Sequence, residues 1–333
     1  MPHHSLDEIE QITRQALTAH GAKPFAATEV ARAVRVAEGY GNKICGLYYV
    51  ESYCLQLQTG RVDGAVDPRV SHPRPGVIHV DAGFGFAQPA FAAGLSPALE
   101  AARDVGTATL AVAHAHTCTS LGYFTEQIAR AGYIGIGFTN ASPIVAAPGG
   151  KSRVIGTNPI AFSVPDGAGG VAMQFDQSTT TVALGKITMA KAMGEKIPLG
   201  WALDADGAPT TDPESALQGS LVSIGGHKGW GFGLMAEILA AGMTGSVLSR
   251  DVKPLKSPQG GPHDLGQYYI LIDPGVSEAF PARLRNLTQF ATFDDGVRLP
   301  GQSKEVLNEV EVAQPMWERL QELAQGPDPK PSA

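Results

Sequence analysis

Residues 114 to 124 read HAHTCTSLGYF: two histidines, a cysteine and three Ser/Thr hydroxyls directly after the apolar run TATLAVA. Three chemistries suit such a stretch. His114, His116 and Cys118 stand at i, i+2 and i+4, one face of a strand, as metal ligands would. A tetrahedral site asks for a further ligand cluster, none is evident, and no metal is expected. A Cys/His nucleophile needs an imidazole beside the thiolate and a hole for an oxyanion. Cys118 lacks a flanking hydrolase signature and reads as a small buried residue at a strand end. The third chemistry is a turn lining a cofactor, with hydroxyls and amides at the start of the helix LGYFTEQIARAG able to hold a phosphate.

Glycines elsewhere agree with the third. APGGKSRVIGTNPIAF (147 to 162) places glycine pairs and turns before a strand, and GGHKGWGFG (225 to 233) sets five glycines and a lysine at the mouth of an apolar helix. Together they suggest backbone held close to a ligand. There is no GxGxxG after a first strand and no GxxxxGK[ST], so neither the usual dinucleotide fingerprint nor a P-loop applies.

The elements that must position these residues follow from periodicity. Residues 5 to 40 carry two helical patterns separated by HGAKP, with Ser5 and Glu8 spaced as a capping box, and GLYYVESYCLQLQTG (46 to 60) is a third helix. RVDGAVDPRVSHPRPG is too rich in Pro and Gly to be regular. From VIHVDA (77 to 82), strand-like runs alternate with helix-like ones: SPALEAARDVG, TATLAVAHA, GYFTEQIARAG, YIGIGFTN, then NPIAFSVP and VAMQFDQS. Such alternation predicts an α/β sheet covered by helices. GWGFGLMAEILAAGMTG (229 to 245) is apolar all round and is expected to be buried. GEKIPLGWALDADGAPTTDPESALQG reads as surface loop, QYYILIDP as a late strand, QPMWERLQELAQ as a closing amphipathic helix, and GPDPKPSA as a disordered tail. The expected division is an N-terminal helical segment (1–75) contributing to the substrate cleft, a cofactor-binding α/β domain (76–310), and a C-terminal helix and tail (311–333) packing back on the N-terminal part.

A formal charge of −7 and a pI near 5.7 leave no basic footprint for nucleic acid. No apolar run reaches the roughly eighteen residues of a membrane span, and the polar, acidic N-terminus is unlike a secretory signal. A cytoplasmic protein with reduced Cys45, Cys54 and Cys118 is expected.

Five segments in order, GFTNASPIVAAPGGKSRVIGTNPIAFSVP, FDQSTTTVALGKI, IPLGWALDADGAPTTDP, GGHKGWGFGLMAEILAAGMTG and RLPGQS, resemble the type-2 malate/L-lactate dehydrogenases. That family includes ureidoglycolate dehydrogenase and the Δ1-pyrroline-2-carboxylate/Δ1-piperideine-2-carboxylate reductases, and the variant HTCTSLGYF and GLYY segments resemble the latter branch. The resemblance implies a non-Rossmann α/β fold with a mixed sheet, N- and C-terminal helical segments, NADH or NADPH as cofactor, and a homodimer. It implies cofactor contacts from His116, Thr117, Cys118, Thr119, Ser120 and Leu121, from Asp176, Gln177 and Ser178, from Lys228 and Gly229, and from Pro300, Gly301, Gln302 and Ser303. Thr157 matches a substrate contact.

The chain departs from the family at one place that matters. Members reducing 2-oxo acids carry SHGxxR on the third helix, the Ser/His pair handling the proton and the Arg clamping the substrate carboxylate. Here the match reads ICGLYY, so Ile44 replaces the serine, Cys45 the histidine and Tyr49 the arginine. The histidine that ureidoglycolate dehydrogenase adds is Thr117 here. Reducing a ketone generates an alkoxide and needs a placed acid. A cyclic ketimine arrives protonated near neutral pH and yields a neutral amine. The expectation is therefore an imine reductase acting on CH–NH, with Cys45, Tyr49 and Thr157 positioning the substrate and Tyr49 or Lys43 helping to hold its carboxylate. Two alternatives stand beside it: a 2-hydroxyacid dehydrogenase using His116 as acid, and a cofactor-binding protein without activity.

Overall fold

The computed structural model describes residues 2–302 and 305–327. A short strand β1 (His3–Ser5) leads into helix α1 (Leu6–Ala19), where the Ser5 hydroxyl accepts from the Glu8 amide at 3.3 Å and the Glu8 carboxylate accepts from the Ser5 amide at 2.8 Å. This reciprocal cap satisfies two amides that a helix start leaves free. Helix α2 (Pro24–Gly39) packs on α1, and two tight turns, Lys43–Cys45 and Leu47–Tyr49, precede α3 (Val50–Gln58).

The central sheet is built from β2 (Arg69–Arg74), β3 (Val77–Asp81) and, after helix α4 (Ala87–Val105), β4 (Thr107–Ala115). Helix α5 (Gly122–Arg130) and β5 (Ile134–Thr139) follow; then come the short strands β6 (Val145–Ala146) and β7 (Arg153–Ile155), and the hairpin β8 (Ile160–Pro165) and β9 (Val171–Gln177). Beyond helix α6 (Leu184–Met193) lie β10 (Ala202–Leu203), β11 (Pro209–Thr210), helix α7 (Pro213–Gln218), β12 (Ser220–Leu221) and helix α8 (His227–Glu237). Strand β13 (Leu265–Ile272), helix α9 (Phe280–Ala291), β14 (Glu309–Glu311) and helix α10 (Gln314–Ala324) complete the described chain.

The main sheet has the order β2-β3-β4-β13-β5-β8-β9, with β3 and β4 parallel and the other neighbours antiparallel. The parallel pair requires a crossover, which α4 supplies. Helix and sheet approach closely because Gly94 has no side chain: a Cβ there would lie 2.5 Å from Leu110. Phe91, Phe124 and Tyr269 meet edge-on or tilted with centroids 4.8 to 5.7 Å apart in the fully buried core beneath. Each such side chain contributes about 1.5–3 kcal/mol by leaving water.

The N-terminal helices form their own core with the chain's C-terminal end, Val310, Val312, Leu320 and Leu323 joining Leu6, Ile9, Leu17 and Val50, while β14 pairs with β1. A third core lies under the sheet β11-β10-β12-β6-β7.

Three segments depart from the sequence expectation. The stretch 194–219 is not plain loop: Ile197, Ala202 and Ala216 are buried and pin β10, β11 and α7 onto the third core. Its Asp-Gly turn joins paired strands, which turn residues alone do not distinguish from open loop. Residues 69–74 form a strand despite Pro73, because β2 is the edge of the sheet, where a missing amide costs no ladder bond. The segment 229–245, expected to be buried all round, leaves Phe232 on α8 and Ile238 in the turn just after it more than half exposed. The predicted disordered tail lies largely outside the described residues.

Candidate active site

Strand β4 ends at Ala115, and the chain turns sharply through Thr119 (φ +62) into α5. The first α5 amide, Gly122, donates to the Asp176 carboxylate at 2.8 Å, and the Ser120 hydroxyl donates to the same oxygen at 3.2 Å. The helix start that the sequence offers to a phosphate is thus taken by a carboxylate of the protein itself, from the end of β9. Gly122 is required there, since a Cβ would stand 3.0 Å from that of Asp176.

The turn before α3 brings Cys45 and Tyr49 to this junction. Burial, with the Asp176 carboxylate second and an Asn42 hydrogen bond opposing, pushes the Cys45 thiol up to about 12. Tyr49 is pushed up to about 12 by burial, then by Cys45 and Tyr48. Cys118 is pushed up by burial, then by Asp176 and Cys45. Two thiols and a phenol thus keep their protons in this buried corner, chiefly through burial, with the negative charge of the Asp176 carboxylate adding to the effect at the thiols. Tyr49 stacks on Tyr53 at 5.9 Å and meets Tyr48 edge-on at 5.3 Å, while Ile44 is 55 % exposed beside them.

A second cluster continues past β9. The Thr157 carbonyl accepts from the Thr179 amide at 2.9 Å and its hydroxyl at 3.0 Å; the Thr179 carbonyl accepts from the Ile224 amide at 3.0 Å. A side chain on Gly229 would collide with the Ile224 carbonyl, so α8 begins pressed against this strap. Ser178 exchanges a 2.9 Å hydrogen bond with Thr180, and Lys228 is exposed in the first turn of α8. At the other end of β9 the Pro300 carbonyl accepts from the Gln174 amide at 2.9 Å, and a Cβ on Gly301 (φ +83) would stand 2.9 Å from the Gln174 carbonyl. The Gln302 side chain accepts from the Leu299 amide at 2.7 Å, closing that turn. Ser303 lies outside the described residues.

The predicted segments thus form one lane along β9, from Pro300 and Gly301 through Asp176, Gln177 and Ser178 to Thr157, Lys228 and Gly229. A cavity of about 320 Å³ opens on it, lined by Asn42, Ser120, Gly122, Gln174 and Asp176 among others. Glycines at 122, 229 and 301 let the chain pack closely against Asp176, Ile224 and Gln174 along this lane.

His114, His116 and Cys118 do not act together. His114 Nδ1 meets Asp264 at 2.8 Å, whereas His116 is buried, with Nε2 at 2.6 Å from Gln56 Oε1 and its ring stacked on His263 at 4.2 Å. Burial, with His263 and Arg61 adding, holds His116 well below the usual histidine range. It does not line the cavity and stays neutral, which corrects its expected place among the cofactor contacts and as an acid. Thr117, Cys118 and Leu121 are buried as well, leaving Thr119 and Ser120 as the partly accessible members of the run.

Sequence reasoning missed Gln174 and Asn42. The first stands two residues before Asp176 on β9, hence on the same face, a signal that could have found it. Missed too was Lys256, whose ammonium lies 3.3 Å from the Tyr48 ring centroid and 5.3 Å from that of Tyr49. Nothing in its neighbours marks it.

The fold is a mixed-sheet α/β architecture with a cavity opening on the end of β9. The sequence profile of the Malate/L-lactate dehydrogenase family matches residues 4–321, and the chain belongs to that family of NAD(P)-dependent oxidoreductases. It is 38 % identical to the (2R)-3-sulfolactate dehydrogenase (NADP(+)) of Chromohalobacter salexigens over 91 % of each chain. It is 36 % identical to the Δ1-pyrroline-2-carboxylate reductase of Ancylobacter novellus over 90 % of this chain and 89 % of that one. Among solved structures, the Δ1-piperideine-2-carboxylate reductase of Pseudomonas syringae superposes with a TM-score of 0.90 at 32 % identity, covering 97 % of this chain and all of the other.

Proposed function

We propose that the protein is an NAD(P)H-dependent ketimine reductase that converts Δ1-pyrroline-2-carboxylate, and the six-membered Δ1-piperideine-2-carboxylate, to L-proline and L-pipecolate. The observation that carries this reading is the absence of a ready acid at the Cys45–Tyr49 turn: burial above all, with Asp176 second at Cys45 and Cys45 second at Tyr49, makes both side chains hold their protons up to about pH 12. A group that weakly acidic is a poor donor to an alkoxide at pH 7. A substrate that arrives with a protonated ring nitrogen needs no such donor.

Bound along β9, a reduced nicotinamide supplies the hydride for such a reaction. The chain's residues supply position: Ser120 and Asp176 fix the start of α5, Thr179 fixes the Thr157 segment, and the Tyr48–Tyr49–Tyr53 stack walls the substrate side. No step in this scheme asks a protein group to surrender a proton.

A second reading, an oxo-acid reductase, draws support from the 38 % identity to a sulfolactate dehydrogenase. Steady-state assays with both reduced cofactors distinguish the two. The cyclic imines are expected to give kcat/KM at least 100-fold above pyruvate, oxaloacetate and 3-sulfopyruvate, and the reverse order overturns the proposal.

The reading extends to a homodimer. Phe232, Ile238 and Met243, more than half exposed on and just after the otherwise apolar α8, form the face a second copy would cover. Sedimentation is expected to give a dimer, with Phe232→Glu shifting it toward monomer.

A further inference from the structure

The family's arginine clamp is absent at Tyr49, so a substrate carboxylate needs another cation, and the fold brings one to the same aromatic wall from a different part of the chain. Lys256 sits on the connection between α8 and β13, with Nζ 3.3 Å from the Tyr48 ring centroid and 5.3 Å from that of Tyr49. Its placement is built. Gln56 Nε2, at the end of α3, donates to the carbonyls on either side, Leu255 at 2.7 Å and Ser257 at 2.9 Å. Arg61 donates to the Ser257 carbonyl and, at 3.0 Å, to that of Gly261, and the Thr59 hydroxyl donates to that of Pro258. Gln56 and Arg61 are both buried, and His116 Nε2, donating to Gln56 Oε1, fixes which way the amide points. Five hydrogen bonds from one short stretch thus clamp a segment that would otherwise be free coil.

At the tip of this clamped segment the ammonium rests on aromatic faces, and no carboxylate among the described residues pairs with it. Aromatic faces hold a cation by their quadrupole without neutralising it, and they occupy one side of an ammonium that has three N–H donors. We propose that Lys256 binds the carboxylate on the ring carbon of the substrate, taking over the charge that residue 49 has lost. The inference rests on the proposed reading of the site as one for a small 2-carboxylate. It assigns Lys256 to ground-state and transition-state binding alike, so its loss falls on KM rather than kcat.

Lys256→Met, which keeps the apolar stem and removes the charge, tests this in the cofactor-loaded protein. KM for Δ1-pyrroline-2-carboxylate is expected to rise at least tenfold with kcat within threefold, and Lys256→Arg to stay within threefold of the parent in KM. Unsubstituted Δ1-pyrroline, which has no carboxylate, is expected to give the same kcat/KM with parent and variant. A readout independent of turnover is fluorescence titration with pyrrole-2-carboxylate, expected to bind the variant at least tenfold more weakly. A parent enzyme that leaves both cyclic imines unreduced sinks the imine-reductase reading alone, provided pyrrole-2-carboxylate still distinguishes parent from variant. Equal pyrrole-2-carboxylate affinity in the two, equal losses on Δ1-pyrroline, or no binding of the probe to either overturns the role of Lys256.

Discussion

Along β9 the cleft wall is set by backbone: Gly122, Gly229 and Gly301 stand where any side chain would meet Asp176, the Ile224 carbonyl or Gln174. The aromatic corner from Cys45 to Lys256 is made instead of side chains on two tight turns and a strapped connection. The first wall is sterically over-determined. The second can exchange its side chains without moving the chain, and that is where this sequence reads ICGLYY. In the proposed reading this second, substrate wall sets substrate choice while the cofactor lane stays fixed.

The largest effect expected is on the rigid wall. Gly229→Ala forces its Cβ against the Ile224 carbonyl and is expected to cost roughly 2–4 kcal/mol, read in urea unfolding, and to weaken NADPH binding more than tenfold. Gly231→Ala, in the same helix with open space around it and no positive φ, is expected to be neutral or to stabilise by up to about 1 kcal/mol. Equal costs at the two sites would erase the contrast between the walls.

The footing of the substrate wall is expected to be labile in acid. Burial, with Arg61 second, pushes His263 down to about 4, against an unfolded value near 6.5. Above pH 6.5 both states are neutral there and nothing is lost; as pH falls from 6.5 to 4 the unfolded chain takes up a proton that the folded one refuses. Stability then drops by on the order of 3 kcal/mol across that window. Urea midpoints at pH 7, 5.5 and 4.5 check this, and His263→Phe should reduce the dependence, the part that buried His116 contributes in the same direction remaining.

Asp176→Asn is expected to lower kcat/KM for the imine about 10–100-fold, an effect on the order of 1.4–2.8 kcal/mol, by removing the charge at the α5 start. Faster turnover would argue that the Asp176 charge opposes the reaction. The smallest effect is assigned to Cys45→Ala, less than threefold in kcat/KM, because the thiol at about 12 is not used as an acid. A hundredfold loss in a folded Cys45 variant would show that the substrate wall carries chemistry after all.

Most of the scaffold could be read from short-range patterns. The Ser5–Glu8 box starts α1 where its spacing says, and the alternation from VIHVDA onward produces β3, β4, α5, β5, β8 and β9 in order. The glycine-rich segments singled out in the sequence do pack closely against neighbouring chain, at Gly122, Gly229 and Gly301. His116 misled because a histidine in a polar run carries no mark of which side of the backbone its ring will take; packing against Gln56 and His263 decided it. Strand β2 and the short strands β10 and β11 were hidden because their stability comes from partners distant in the chain, not from their own composition.

By itself, then, the amino-acid order determined which segments are helices and strands of the main sheet and which family they resemble, since these are local properties of residue type and spacing. Only the tertiary structure decided that Asp176 caps α5, that the α8 face is left open, and that Lys256, some two hundred residues beyond Tyr48, lies on its ring. Those are contacts between segments far apart in the chain, and their geometry is fixed by packing rather than by any pattern along it.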